Sequence, residues 1–280
     1  MRFLLCGDIV GRKSREAVAA EVPRLRRELG LDFVVVNGEN AAHGFGITDS
    51  ICAELYAAGV DVITTGNHVW DRREIMAYIA GDPRLLRPIN FPPGTPGNGF
   101  GIFALADGRK IMVVNAMARL FMDAIDDPFA ALDRLLTEHP LGAVDAILLD
   151  FHGEASSEKA AMAHFCDGRV SAVLGTHCHV PTADYRILAK GSAFQTDVGM
   201  CGDYESVIGM QKEASIARFV KKLPGERMEV AQGVPTICGA VVETDDATGL
   251  AQAIWPLRIG GKLDPVMPPR SRVTVTSPAQ

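Results

Sequence analysis

Short apolar runs with no polar alternation constrain this chain more than any other feature. Phe3-Leu4-Leu5-Cys6, Phe33-Val34-Val35-Val36, Val62-Ile63-Thr64, Ala146-Ile147-Leu148-Leu149 and Ala172-Val173-Leu174 are too short to be helices. A strand that is apolar on both sides must be covered on both sides. Helical spacing runs from Ser14 to Leu29 and from about Asp49 to Ala58, between the first three runs. Strands alternating with amphipathic helices indicate an α/β fold with buried sheets.

Beyond Phe100 the pattern changes. Gly101 to Leu105 and Lys110 to Asn115 flank Asp107-Gly108, a hairpin signal. A helix is expected from about Pro128 to Glu138. The C-terminal part reads as mainly β, with strands at Tyr185 to Leu188, Met228 to Gln232, Thr236 to Val242 and Ala253 to Ile259. No repeat or low-complexity segment interrupts it. One large domain over residues 1–265, followed by a loose Pro- and Ser-containing tail at 266–280, is the expected organisation.

With 48% hydrophobic and 22% charged residues, the chain can bury a sizeable core. A net charge of −6 argues against an extended nucleic-acid groove or an acidic-membrane surface, both of which need clustered Lys and Arg. It does not exclude a small phosphorylated ligand held through metal ions. Six scattered cysteines without a C-x-x-C pair read as reduced thiols. The opening apolar run is too short for a signal-peptide core, and no run approaches the roughly 20 residues of a membrane span. A cytoplasmic protein is expected.

Each apolar run ends in a polar turn: Gly7-Asp8, Asn37-Gly38-Glu39-Asn40, Gly66-Asn67-His68, Asp150-Phe151-His152, and Gly175-Thr176-His177-Cys178-His179. Open α/β sheets place ligand sites at the carboxyl ends of their strands. Two-metal chemistry needs a carboxylate that bridges two cations about 3.5–4 Å apart, with oxygen and nitrogen ligands around it. Asp8, Glu39, Asn40, Asn67, His152, His177 and His179 are of suitable types. Taken singly, Asp8 and Asn67 are equally well turn or capping residues, and His152 a hydrogen-bonded core histidine. The His177-x-His179 pair is more telling, because residues two apart on an extended segment face the same way. Cys178 between them would then turn into the core.

The ordered set of turns resembles the calcineurin-like metallophosphoesterases, and within them the bacterial YmdB-like branch, whose members hydrolyse cyclic nucleotides. The likeness extends to Ala41-Ala42 with Gly44-Phe45-Gly46-Ile47-Thr48, and to Thr196-Asp197-Val198-Gly199-Met200 with Ser206-Val207-Ile208-Gly209. It departs from the wider superfamily at Val10, where Asp-x-His is usual, and at Glu39, where Asp is usual. The resemblance implies an αββα four-layer sandwich of two mixed sheets flanked by helices. Asp8, Glu39, Asn40 and His179 would hold one ion, and Glu39, Asn67, His152 and His177 the other. A water shared by the ions would supply the attacking hydroxide, and His68 would be the proton donor.

The resemblance implies a metal-dependent phosphodiesterase, with 2′,3′-cyclic nucleotides or other small phosphodiesters as substrate. A phosphomonoesterase or protein phosphatase, or a regulatory protein retaining a di-metal site, are the alternatives. The first would carry arginines gripping a dianionic phosphate, and only Arg12 and Arg72 adjoin the motifs. Three histidines with carboxylate and amide oxygens suit Fe or Mn, with Mg or Zn also admitted. A homo-oligomer, dimer or tetramer, is expected. His43, Met200 and Tyr204 are candidates to line the substrate pocket.

Overall fold

A computed structural model describes residues 1–221 and 228–270. The first half alternates strand and helix: β1 (Arg2–Cys6), α1 (Gly11–Leu29), β2 (Phe33–Asn37), α2 (Asp49–Ala57), β3 (Val62–Thr64), α3 (Ile75–Ile79) and β4 (Leu85–Leu86). The second half contains β5 (Phe100–Ala104), β6 (Lys110–Met117), α4 (Pro128–Glu138), β7 (Ala146–His152), α5 (Ser156–Cys166), β8 (Ala172–Thr176), β9 (Arg186–Ile187), β10 (Ala193–Gln195), α6 (Lys212–Lys221), β11 (Thr236–Thr244) and β12 (Ala251–Gly260).

The strands form two six-stranded sheets, in the orders β12-β11-β1-β2-β3-β4 and β5-β6-β7-β8-β10-β9. Each is mixed. Parallel pairing joins β1, β2, β3 and β4, and likewise β6, β7, β8 and β10, while the hairpin-type partners are antiparallel. The parallel strands of both sheets release their polar turns at one edge of the sandwich.

Strand parity explains the layering, since successive side chains face opposite ways. Phe3, Leu5, Phe33, Val35, Val62, Ile111, Val113, Leu148 and Leu174 form the core between the sheets. Leu4, Cys6, Val34, Val36 and Ile63 face outward onto Val18, Val22, Leu25 and Leu29 of α1 and Leu55 of α2. On the other side Met112, Val114, Ile147, Leu149 and Phe151 meet Leu132, Leu135 and Leu136 of α4 and Met162 of α5. The result is the expected αββα arrangement. Caps define the helix ends: Thr48 accepts from Ile51, Asp127 accepts from Phe129 ahead of Pro128, and Gly30 closes α1 in the left-handed conformation.

One strand expectation and the start of the expected tail differ. Met228 to Gln232 forms a single bridge, Met210 to Val230, rather than a strand. Val230 instead covers Gly11 and Gly44, where any Cβ would approach its methyls to 2.7 and 2.6 Å. Val266, placed in the expected tail, exchanges backbone hydrogen bonds with Arg258, and the Arg2 guanidinium donates to the Pro269 carbonyl. Residues 271–280 of that tail lie outside the described residues.

At the functional edge the inter-sheet face becomes polar without becoming exposed. Asn37, Thr64, Asn115, Asp150 and Thr176 continue the inward parity of their strands and are fully buried. Asp150 accepts from Asn37 Nδ2 at 3.1 Å, from Thr176 Oγ1 at 2.7 Å and from the Thr64 hydroxyl. Asn115 completes the layer, its Oδ1 accepting from the Thr65 amide at 3.3 Å. Replacing Asp150 by Ala removes the acceptor shared by three buried donors; Asn37 Nδ2 and the Thr64 hydroxyl keep the Thr65 and Val36 carbonyls at 3.2 and 3.4 Å, while the Thr176 hydroxyl is left unsatisfied, at a cost of about 1–3 kcal/mol. The expected loss of stability is of that size, read as a lower denaturant midpoint with an unchanged slope.

Candidate metal centre

The polar layer supports a group of side chains that converge on His152. This fully buried ring has Nε2 at 3.1 Å from Glu39 Oε1, 3.1 Å from Asn67 Oδ1 and 3.1 Å from His177 Nδ1. Among the described residues, Glu39, His152 and His177 are the group whose donor atoms all lie within 4.8 Å of one another. One ring nitrogen holds at most one proton, so it cannot satisfy all these neighbours by hydrogen bonding. Lone pairs aimed at one point are what a cation needs.

The outward nitrogens support the same reading. His152 Nδ1 lies 2.9 Å from Thr176 Oγ1, whose own proton goes to Asp150. His177 Nε2 faces Glu154 Oε2 at 3.3 Å, and His179 Nδ1 faces the Ile208 carbonyl at 2.8 Å. With the outer N–H placed on each of these acceptors, the inner lone pair is free, the usual arrangement around a ligating histidine. Glu154 and Thr176 were not anticipated as site residues. Their signal in the sequence was adjacency to the histidines alone.

Asp8, Asn40 and His179 form a second lobe. Asp8 Oδ2 accepts the His177 amide at 3.1 Å, while Oδ1 is buried without a hydrogen-bond partner. Asn40 donates from Nδ2 to the Gly44 carbonyl at 3.0 Å, leaving its buried Oδ1 equally unpartnered. Burial pushes the Asp8 carboxyl up, and His179 is the strongest charge opposing that push, ahead of His152. Two orphaned oxygens in a native interior call for a missing partner.

Glu39 lies between the lobes. Its Oε1 faces His152, and its Oε2 accepts the His68 amide at 3.2 Å. Burial alone would raise this carboxyl, but His152 overrides it and holds Glu39 at about 2. The reciprocal effect drives His152 up to about 9 against its own burial, with Glu39 and then Asp8 as the carboxylates responsible. His177 goes the other way, down to about 3, through burial and the neighbouring His152 charge. Gly66 leaves the room: a Cβ there would lie 2.3 Å from the His152 ring and 2.4 Å from Glu39 Oε2. The donor set, the orphaned oxygens and this cradle fit metal ions.

The histidine loop differs from the extended segment expected. His177 and His179 have φ of 96° and 66°, in the left-handed region that side chains avoid. Such residues cost on the order of 1–3 kcal/mol each and persist where surroundings over-determine them. Cys178 accordingly is not turned into the core. It is half-buried, with Sγ 3.4 Å from Lys159 Nζ, and burial pushes its thiol up to about 11.

His68 stands half-exposed beside the group, its Nδ1 2.9 Å from Asp71 Oδ2 and its ring edge-on to Phe45 at 5.1 Å. Asp71 thereby orients the His68 ring. His43 is exposed at a cavity of about 640 Å³ that also involves Arg12 and Arg72. Met200, expected in the pocket wall, is buried at 1% exposure. Tyr204 turns its hydroxyl inward, donating to the His179 carbonyl at 3.0 Å, and so braces the loop from behind. Gly199 and Gly209 take positive φ on either side of these residues.

Comparison with known proteins agrees with this geometry. The family model described as YmdB-like protein matches residues 4–257. The chain belongs to the YmdB-like family. A 2′,3′-cyclic-nucleotide 2′-phosphodiesterase of Bacillus subtilis (strain 168) is 47% identical over 254 residues, covering 91% of this chain and 95% of its own. The crystal structure of a novel phosphatase from Mycoplasma pneumoniae superposes with a TM-score of 0.86 at 34% identity, covering 93% of each chain. The calcineurin-like phosphoesterase YfkN of Bacillus subtilis shares the fold, with a TM-score of 0.54 at 12% identity over 92% of this chain and 90% of its own. This YmdB-like chain is therefore a hydrolase of metallophosphoesterase fold, a fold that implies divalent metal ions. Gly66→Ala is expected to give a folded protein that retains less than half the wild-type metal content, measured by elemental analysis after dialysis against Mn²⁺.

Proposed function

We propose that this YmdB-like chain is a two-metal phosphodiesterase that opens the 2′ P–O bond of 2′,3′-cyclic nucleotides and leaves a 3′-phosphate. The observation that carries the reading is the convergence of Glu39, Asn67 and His177 on one nitrogen of His152, beside the unpartnered oxygens of Asp8 and Asn40. Asp8, Glu39, Asn40 and His179 would hold one ion, and Glu39, Asn67, His152 and His177 the other. Bound there, Fe or Mn ions (Mg and Zn are the alternatives) would supply Lewis acidity for activating a water nucleophile and for neutralising charge on the phosphoryl oxygens.

The protein's own part lies in positioning and proton supply. Glu39 Oε2 holds the backbone of His68 at the centre by accepting its amide at 3.2 Å. Asp71 Oδ2 accepts the Nδ1–H hydrogen bond, and in the imidazolium form Nε2 carries the second ring proton, which it hands to the departing ribose oxygen. The 47% identical relative named as a 2′,3′-cyclic-nucleotide 2′-phosphodiesterase supports the substrate class. The arginines support a diester over a monoester: Arg12 pairs with Glu16, and Arg72 donates to the Phe45 and Ala42 carbonyls. Neither grips a dianionic phosphate at the centre.

The proposal also includes a cytoplasmic homo-oligomer. Six free cysteines fit a reducing compartment, and α6 leaves Ile216, Phe219 and Val220 more than half exposed. No helix among the described residues is long and apolar enough to cross a membrane.

The test is turnover of 2′,3′-cyclic AMP, bis(p-nitrophenyl) phosphate and p-nitrophenyl phosphate by Mn²⁺-loaded protein. Diester cleavage well above monoester cleavage is expected, and equal or better monoester turnover would overturn the reading. Chelation should abolish activity and added Mn²⁺ restore it. His68→Ala should retain its metal and lose about 10²–10⁴-fold in kcat on the cyclic nucleotide. The loss should be much smaller with p-nitrophenolate as leaving group, which needs little protonation.

A further inference from the structure

Below the metal centre lies a buried ion pair that the reaction itself does not use. Lys159 on α5 and Asp197 are both fully buried, with Nζ 2.9 Å from Oδ2. The ammonium also donates to the Thr176 carbonyl at 2.7 Å and to Cys178 Sγ at 3.4 Å, which occupies its three protons. Asp197 Oδ2 accepts the Cys178 amide at 2.9 Å, and Oδ1 accepts the Gly199 amide at 2.9 Å. The carbonyl before His177 and the amide after it are therefore both held by one pair. His177 itself sits at a φ of 96° and His179 at 66°.

We propose that Lys159 and Asp197 are positioning residues: their ion pair clamps the backbone on both sides of His177 and so presents His177 and His179 to the two metal ions. The inference rests on the two-metal reading of the centre. Stability by itself gives no reason to keep such a pair, because well-packed apolar replacements of buried ion pairs are often neutral or stabilising. A left-handed histidine loop does give one. Without the clamp, His177 and His179 can relax to ordinary backbone angles, and relaxation rotates both imidazoles away from the lobes formed by Glu39 with His152 and by Asp8 with Asn40. Gly175 shows how tightly the arrangement is packed: a Cβ there would lie 1.8 Å from the Thr196 carbonyl oxygen and 3.0 Å from the Lys159 stem.

The experiment compares the full-length wild type with Lys159→Met and Asp197→Asn. Methionine keeps the length of the lysine stem, and asparagine keeps an oxygen for the Cys178 amide. Each protein is stripped with chelator and titrated with Mn²⁺, with metal content, Mn²⁺ electron paramagnetic resonance, circular dichroism and turnover of bis(p-nitrophenyl) phosphate recorded. The expected result is a wild-type circular dichroism spectrum, Mn²⁺ binding weakened about 10–100-fold as for other residues that orient ligating histidines, and loss of the spin-coupled Mn–Mn signal. At saturating Mn²⁺ the fall should be in kcat rather than KM. Wild-type Mn²⁺ affinity and an intact coupled signal in a folded variant would overturn the proposal, even if its melting temperature drops. Failure of both variants to fold would also overturn it, by showing that the pair holds the fold rather than the loop; if one folds, that one decides. Absence of a coupled Mn pair in the wild type would instead defeat the two-metal reading.

Discussion

One buried carboxylate joins the two sheets directly beneath the metal centre. Asp150 stands on β7 yet takes hydrogen bonds from Asn37 on β2, Thr64 on β3 and Thr176 on β8. Burial raises its carboxyl to about 6, against the pull of His152 and the two threonine hydroxyls. Such a group is costly to bury and is retained only when its partners are in place. Through Thr176 it also decides which nitrogen of His152 carries the outer proton. The register of the sandwich and the orientation of its most buried ligand thus depend on the same atoms.

Above that layer the structure trades backbone comfort for reach. The candidate ligands come from five separate strand ends, and regular strands alone would leave His177 and His179 on the wrong bearings. The left-handed angles at both residues solve this geometrically. Tyr204 supports the loop at the His179 carbonyl, Asp8 at the His177 amide and Asp197 at the Cys178 amide. Rigid sheets carry the rest, which keeps the ordering cost of assembling a distributed site low.

The chain shares its architecture with YfkN at 12% identity, where the fold is all that the likeness conveys. Across that distance what persists is the αββα sandwich with strand ends gathered at one edge. Within the YmdB-like family the likeness is of another order, 47% with the Bacillus subtilis relative over nearly the whole of both chains. Glu39 with Asn40, in place of the commoner aspartate, gives this centre a longer central carboxylate and an amide oxygen beside it. Gly66 then matters as much as any candidate ligand, because a Cβ there would intrude on both Glu39 and His152.

Much of this was written locally in the sequence. Unalternated apolar runs require doubly covered strands, helical spacing defines α1, α2 and α4 to within a few residues, and polar turns after each run mark the functional edge. These features depend on near neighbours in the chain, so a linear reading finds them. Tertiary structure alone decided the rest. Asn37, Thr64, Asp150 and Thr176 look like ordinary turn-flanking residues until parity places them face to face between two sheets. Lys159 and Asp197, thirty-eight residues apart, look like surface charges until α5 buries one against the other. The angles of the His177–His179 loop depend on contacts from Asp8, Asp197 and Tyr204, and no local propensity in Thr-His-Cys-His encodes them. Composition and spacing show which groups are present; only packing determines which lone pair meets which.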